Sequence, residues 1–239
     1  MNPPVNIAKP MRAVTFDIGG TLLFPHPYVG AVYAEVLADH GFDSDPAALE
    51  AGFIRAWKAA GASGSTGQTG EAMEREQWFR IVESTLSDVL PEDRMRDIFR
   101  KIWDTFAEFR RWRIREHTRE VLAALQNGGI RTAVLSNWDS RLRPLLADAG
   151  LDRQFDRLFI SAEIGWKKPH PRVFDIVASD LNVAPEHLLH VGDSVEHDIR
   201  PAQAAGWNAV LIRDDPESAS DHPTIRDLRE ILDMTLQPI

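Results

Sequence analysis

Five short apolar runs, with one long interruption between the first and the second, leave this chain few folds to choose from. They cover Arg12–Asp17, Arg131–Ser136, Arg157–Ile160, Leu188–Gly192 and Asn208–Ile212, lengths that suit buried strands and are too short for helices. Helical periodicity lies between several of them. Thr118–Gln126 is stopped by Asn127-Gly128-Gly129, Leu142–Ala149 is closed by Gly150, and Val173–Leu181 follows Pro171. A proline fits there because the first helical turn does not need its missing N–H. Strand, helix, strand in repetition predicts a parallel sheet with right-handed crossovers, an α/β Rossmann-like core of about five strands.

The interruption is of a different kind. Tyr28–His40, Pro46–Ala60, Glu71–Leu90 and Glu92–Phe109 all carry amphipathic helical patterns, with no convincing strand among them. A crossover needs only about 10–12 residues, so a stretch this long reads as an inserted helical cap. The expected division is a core of residues 1–24 and 111–239 with a cap of residues 25–110. Because the insertion enters after the first strand, the cap should overhang that strand's carboxyl end, where ligands bind in open α/β sheets. The segment from Gly61 to Gly70 is rich in glycine and serine; it lacks the lysine of a phosphate-cradling loop and reads as a flexible link.

Several function classes are excluded by composition. With 44% hydrophobic residues the chain can bury a sizeable core, yet no apolar run approaches the roughly 20 residues of a membrane span. Met1-Asn2-Pro3-Pro4 lacks the layout of a secretory signal, and the absence of cysteine removes disulfides, thiolate metal sites and a thiol nucleophile. Both fit a reducing cytoplasm. The net charge of -9 argues against nucleic acid, whose phosphates demand the opposite balance. The one basic run, Arg110 to Arg115, reads as a solvated hinge paired with nearby acids. Monomer and homodimer are both open.

Polar clusters end the strands. The first run leads into Asp17-Ile18-Gly19-Gly20-Thr21, the second ends in Ser136-Asn137, the third is followed by Gly165-Trp166-Lys167-Lys168-Pro169, and the fourth leads into Asp193-Ser194 with Asp198 beyond. Parallel strands bring these ends together. Two neighbouring buried carboxylates need cationic compensation, which Mg²⁺ supplies while favouring carboxylates, a backbone carbonyl and retained waters. Lysine, hydroxyl and backbone N–H groups suit an anion. Together they describe phosphoryl transfer to a small phosphorylated substrate.

These four segments resemble the motifs of the haloacid dehalogenase-like hydrolase superfamily, in its branch with a helical cap after the first strand. Ser136-Asn137-Trp138-Asp139 and Gly165 to Pro169 are especially similar to the subgroup related to the rhythmically expressed gene 2 product. The resemblance implies that Asp17 is a nucleophile forming an aspartyl-phosphate. It implies Mg²⁺ held by Asp17, the carbonyl of Gly19 and Asp193, with Asp198 supporting the metal's water shell or orienting Lys168. Gly20, Thr21, Ser136, Asn137 and Lys168 would bind phosphate; Ser136 and Lys168 would also assist the chemistry. Lys167 is the alternative to Lys168, which is preferred because it directly precedes Pro169.

One departure stands out. Phosphatases of the family carry a second Asp where this chain has Gly19, and that Asp exchanges protons with leaving group and water, a role worth about 10²–10⁴-fold. Alkyl phosphates should suffer most from its loss; aryl, acyl and anhydride phosphates should suffer less. His26, Tyr28, Tyr33 or Lys58 are candidate substitutes. The alternatives are a weakly catalytic phospholigand-binding protein and a metal-independent 2-haloacid dehalogenase, the latter disfavoured because Asp193 and Asp198 are both kept. His190 and His197 read as packing or supporting residues, and Trp57, Trp78 and Trp103 as cap packing.

Overall fold

The computed structural model describes residues 9–62, 67–214 and 221–236. Residues 63–66 of the glycine- and serine-rich segment and Met1–Pro4 lie outside the described residues. Six parallel strands form the main sheet: β1 (Ala13–Phe16), β4 (Arg131–Ser136), β5 (Arg157–Ile160), β6 (Leu188–Gly192), β7 (Asn208–Ile212) and β8 (Thr224–Ile225), in the order β5-β4-β1-β6-β7-β8. Strands β2 (Leu23–Pro25) and β3 (Trp112–Ile114) pair separately as an antiparallel ribbon, with Leu23 opposite Ile114 and Pro25 opposite Trp112.

Both faces of the main sheet are covered, which explains why its strands read as continuous apolar runs rather than alternating ones. On one side Val14, Phe16, Val134 and Val191 pack with α5 (Thr118–Asn127), α6 (Leu142–Asp148) and α10 (Glu230–Thr235). On the other, Ala13, Leu135, Leu188 and Leu211 pack with α8 (Pro171–Leu181) and α9 (Arg200–Ala204). The short helix α7 (Ser161–Ile164) follows β5 directly and ends at Gly165, whose φ of 79° is the left-handed geometry that glycine tolerates best.

Helices α1 (Val29–Asp39), α2 (Pro46–Ala62), α3 (Glu71–Leu86) and α4 (Glu92–Thr105) fill the interval between β2 and β3. They bury their own apolar cluster, including Tyr33, Leu37, Phe79, Val82, Ile98 and Phe99. Trp78 and Trp103 pack there as expected, whereas Trp57 is 48% exposed and stacks on Trp78 at 5.1 Å. The basic run differs from the solvated hinge expected of it. Arg111 is buried and bound to Glu35, Arg113 lies in β3, and Arg115 donates to the carbonyl of Thr21 at 2.6 Å. The Arg111 and Arg115 guanidiniums each tie two segments together, while Arg110 is exposed and paired with the neighbouring Glu108, as expected of the run.

Candidate active site

Asp17 follows β1 directly, and its backbone N–H donates to Val191 of β6 at 2.9 Å, holding the residue at the carboxyl edge of the sheet. Neighbouring strand ends deliver the rest. Ser136, the last residue of β4, donates its hydroxyl to Asp17 Oδ1 at 3.0 Å. Lys168 Nζ donates to the same oxygen at 2.8 Å and to Asp198 Oδ1 at 2.5 Å. Lys168 and Asp198 are each 2% exposed and Asp17 8%. Among the described residues Asp17 Oδ2 accepts no hydrogen bond, so both donors converge on one oxygen and leave the other without a donor. Lys167, its sequence neighbour, points elsewhere and donates to Gln77 of α3 at 2.7 Å.

Two glycines make room for this crowding. Gly20 adopts φ +79°, and a Cβ there would fall 2.5 Å from Asp193 Oδ2. A Cβ on Gly192 would fall 2.2 Å from Asp198 Cγ. Asp198 is brought back onto β6 by a π-type turn at Val195–Ile199, in which the N–H of Ile199 donates to Ser194 O. Such turns recur at functional sites. Its Oδ2 then accepts from Ser194 N at 2.9 Å, while Oδ1 takes Lys168 and His190 Nε2 (3.1 Å). Every oxygen of Asp198 is thus engaged, which suits an orienter of Lys168 rather than a metal ligand.

Oxygen atoms of Asp17, Asp193 and Asp198 lie within 4.8 Å of one another. Three carboxylates face one ammonium, and the imbalance shows in their proton affinities. Burial, together with the Asp17 and Asp198 charges, pushes Asp193 up to about 7, although its side chain faces solvent along a cleft of about 370 Å³ lined by Gly20, Arg115, Asp193 and Asp214. Burial also raises Asp17, while Lys168 and His190 outweigh burial at Asp198 and hold it well below the usual carboxylate range. An oxygen-rich, over-acidic pocket open on one side fits a hard divalent cation. A cation there should displace the Asp193 proton. Magnesium titrations in buffers of different ionisation heat should therefore show release of about one proton near pH 6 and almost none near pH 8.5, with affinity falling as pH drops below about 7.

Three assignments differ from expectation. The N–H groups of Gly20 and Thr21 are committed within the turn, to Leu23 O and Ile18 O, and the Thr21 hydroxyl contacts Asp193 Oδ1 at 3.4 Å. These residues shape the loop; the N–H groups without an acceptor among the described residues are those of Ile18 and Gly19. Asn137 clamps the backbone of Lys168, accepting from its N–H and donating to its C=O at 2.8 Å each, which leaves the second N–H of its amide uncommitted. Tyr33 is 2% exposed inside the helical cluster and burial pushes its phenol up, which removes it as a proton donor. His26 and Lys58 are exposed, and Tyr28 is 40% exposed. At Gly19 a Cβ would meet the Trp138 ring at 3.2 Å, and Trp138 packs on Trp112 at 5.1 Å. Sequence reasoning missed Trp138 as the wall beside Gly19, although it stands in the quoted Ser136-Asn137-Trp138-Asp139 segment.

A Rossmann-like sheet with clustered carboxylates at its carboxyl edge is the arrangement of a class of α/β hydrolases. The chain belongs to the haloacid dehalogenase-like hydrolase family, whose model matches residues 11–206. It is 31% identical over 206 residues to human haloacid dehalogenase-like hydrolase domain-containing protein 3, covering 84% of this chain and 82% of that protein. The Drosophila melanogaster rhythmically expressed gene 2 protein is 28% identical over 216 residues, with coverage of 85% and 83%. A phosphoserine phosphatase from Thermus thermophilus is 36% identical over 132 residues, about half of each chain (53% and 53%). Among solved structures, the magnesium-bound HAD-hydrolase YfnB from Bacillus subtilis shares the fold with a TM-score of 0.76 at 20% identity, covering 96% of this chain and 100% of that one.

Proposed function

We propose that this protein is a magnesium-dependent hydrolase of a small phosphorylated metabolite, working through an aspartyl-phosphate on Asp17. The observation that carries this reading is the convergence of Ser136 and Lys168 on Asp17 Oδ1, which leaves Oδ2 to attack phosphorus. Asp17, Asp193 and the carbonyl of Gly19 would hold Mg²⁺, which when bound neutralises phosphate charge and polarises the phosphoryl group. The Lys168 ammonium would neutralise charge building on the phosphoryl oxygens, and the N–H groups of Ile18 and Gly19, which have no acceptor among the described residues, would receive one of them. Ser136 orients the nucleophile. Asp198 fixes Lys168. These roles keep Ser136 and Lys168 as expected and transfer the backbone part from Gly20 and Thr21 to their neighbours.

Residues 25–110 serve in this reading as a cap over Asp17. Supporting it, Glu71 of α3 accepts from Ser140 N at 2.9 Å, Trp103 O of α4 accepts from Arg141 Nη1 at 2.6 Å, and Gln77 holds Lys167. Each contact reaches a loop adjoining the site, so docking of the helices would exclude water from it. Within the described residues no helix is long and apolar enough to cross a membrane, in keeping with a cytoplasmic enzyme.

The test is hydrolysis of an aryl phosphate and a panel of sugar and nucleotide phosphates, with Mg²⁺ and with chelator. Metal-dependent turnover is expected. Binding without turnover would instead identify a phospholigand-binding protein, and metal-independent halide release from a 2-haloacid would identify a dehalogenase. The second proton-transfer group is a separate question. Gly19→Asp combined with Trp138→Ala, which clears the ring from the new side chain, should raise alkyl-phosphate turnover by up to about 10²-fold. Gly19→Asp alone should gain less, because the ring must move. Steady-state kinetics on an alkyl phosphate would check both, and no gain in either would show that another group already does this work.

A further inference from the structure

A fully buried histidine stands behind the site without a role in the reaction above. His190 is 0% exposed in the middle of β6, and Thr15, its register partner on β1, is equally buried. Their side chains meet, Thr15 Oγ1 lying 2.8 Å from His190 Nδ1. The other ring nitrogen, Nε2, lies 3.1 Å from Asp198 Oδ1, the same oxygen that receives Lys168. Phe174 of α8 packs edge-on to the imidazole at 6.2 Å and is itself backed by Trp207 at 5.3 Å, so the ring is held in one orientation.

The partners fix the protons. Asp198 is ionised and only accepts, so Nε2 carries a hydrogen; with a neutral ring Nδ1 then accepts from the Thr15 hydroxyl. Burial favours that neutral ring. A continuous line of hydrogen bonds runs Thr15 to His190 to Asp198 to Lys168 to Asp17, through side chains no more than 8% exposed. Without the Nε2 donor, Asp198 Oδ1 has only Lys168 to fix it, and a tilt of the carboxylate about the Ser194 N–H that holds Oδ2 would move the ammonium off Asp17.

We infer that His190 is a positioning residue: with Thr15 it locks the Asp198 carboxylate so that the Lys168 ammonium is aimed at Asp17 Oδ1. This rests on the hydrolase reading for its kinetic consequence, and on geometry alone for the hydrogen-bond line. Hydrogen-bonded partners of this supporting kind typically matter ten- to a hundredfold, as they do around metal ligands. His190→Leu should therefore lower kcat by about ten- to a hundredfold with KM changed by less than about twofold. His190→Gln, whose amide can restore a donor to Asp198, should recover most of the loss, and Thr15→Val should fall between.

Nitrogen-15 NMR of the imidazole in the wild-type protein, without substrate, should show a neutral ring protonated at Nε2, and Asp198→Asn should perturb that signal. A folded His190→Leu variant with full kcat would overturn the inference. So would equal losses in the Leu and Gln variants, or a ring protonated at Nδ1. Should His190→Leu not fold, Thr15→Val and the tautomer decide. If wild-type protein hydrolyses none of the phosphates, the proposed reaction fails while the tautomer measurement still judges the line.

Discussion

Asp17→Asn is expected to abolish turnover, by on the order of 10⁴-fold or more, while leaving the protein as stable as before or more so. The kinetic half follows from removing the attacking oxygen. The stability half follows from the charge imbalance: Asp17, Asp193 and Asp198 crowd one ammonium, and burial with the Asp198 charge already raises Asp17. An amide oxygen can still accept from Ser136 and Lys168, and Lys168 keeps its carboxylate partner in Asp198. One repulsive charge leaves a buried place where only part of it was compensated. Single-turnover kinetics and thermal unfolding in chelator would check the two halves together. A folded variant with wild-type turnover would rule Asp17 out as the nucleophile.

Lys168→Met should lose turnover as completely and, unlike the first variant, lose stability too. The ammonium is the partner of two buried carboxylates, and removing one member of a buried ion pair costs about 3–5 kcal/mol. The sign with pH is definite. Lys168 lowers the proton affinity of both Asp17 and Asp198, so its removal raises both in the folded state, Asp17 further above its ordinary value and Asp198 upward from its depressed one. The variant then gains from protonation what it lost in charge pairing. Its deficit against wild type should be largest above neutral pH and shrink as pH falls toward the ordinary carboxylate range. Urea unfolding at about pH 8 and about pH 5 reads this directly; a deficit that does not change between them would mean the lysine's aliphatic stem, not its charge, supports the fold.

The opposite stability effects of these two substitutions come from neighbours the sequence brings together only after folding. Much of the arrangement was legible beforehand. The runs at Arg131–Ser136, Arg157–Ile160, Leu188–Gly192 and Asn208–Ile212 are strands with those bounds, because strands covered on both faces cannot alternate and so announce themselves as apolar blocks. Convergence of Asp17, Ser136, Lys168 and Asp193 was expected from parallel topology. Strands β2, β3 and β8 were not legible: each is two or three residues long, too short for any period to register. Arg111 was read as solvated because a guanidinium's partner, here Glu35 of α1, is invisible along the chain. The structural partners of Asn137 and Thr21 were hidden for the same reason. A polar side chain at a strand end looks alike whether it faces substrate or fastens the next loop, and only the distance to Lys168 or Asp193 tells them apart. Trp138 carried no signal because nothing marks an aromatic residue as the filler of a gap opposite Gly19.

The ribbon of β2 and β3 has an architectural consequence. Since Leu23 and Ile114 sit side by side, the chain leaves the sheet and comes back to it at a single doorway. Asp17, Ser136, Lys168, Asp193 and Asp198 all lie on the sheet side of that doorway, so the reactive centre is assembled without any side chain from the excursion. Material grafted between Pro25 and Trp112 can be exchanged as a cassette, provided its ends meet at the ribbon's spacing and it offers Lys167 a replacement for Gln77 and Arg141 a replacement for the Trp103 carbonyl. On the proposed reading, selectivity and reactivity would be separately engineerable, because the polypeptide would store them in different loops of one thread.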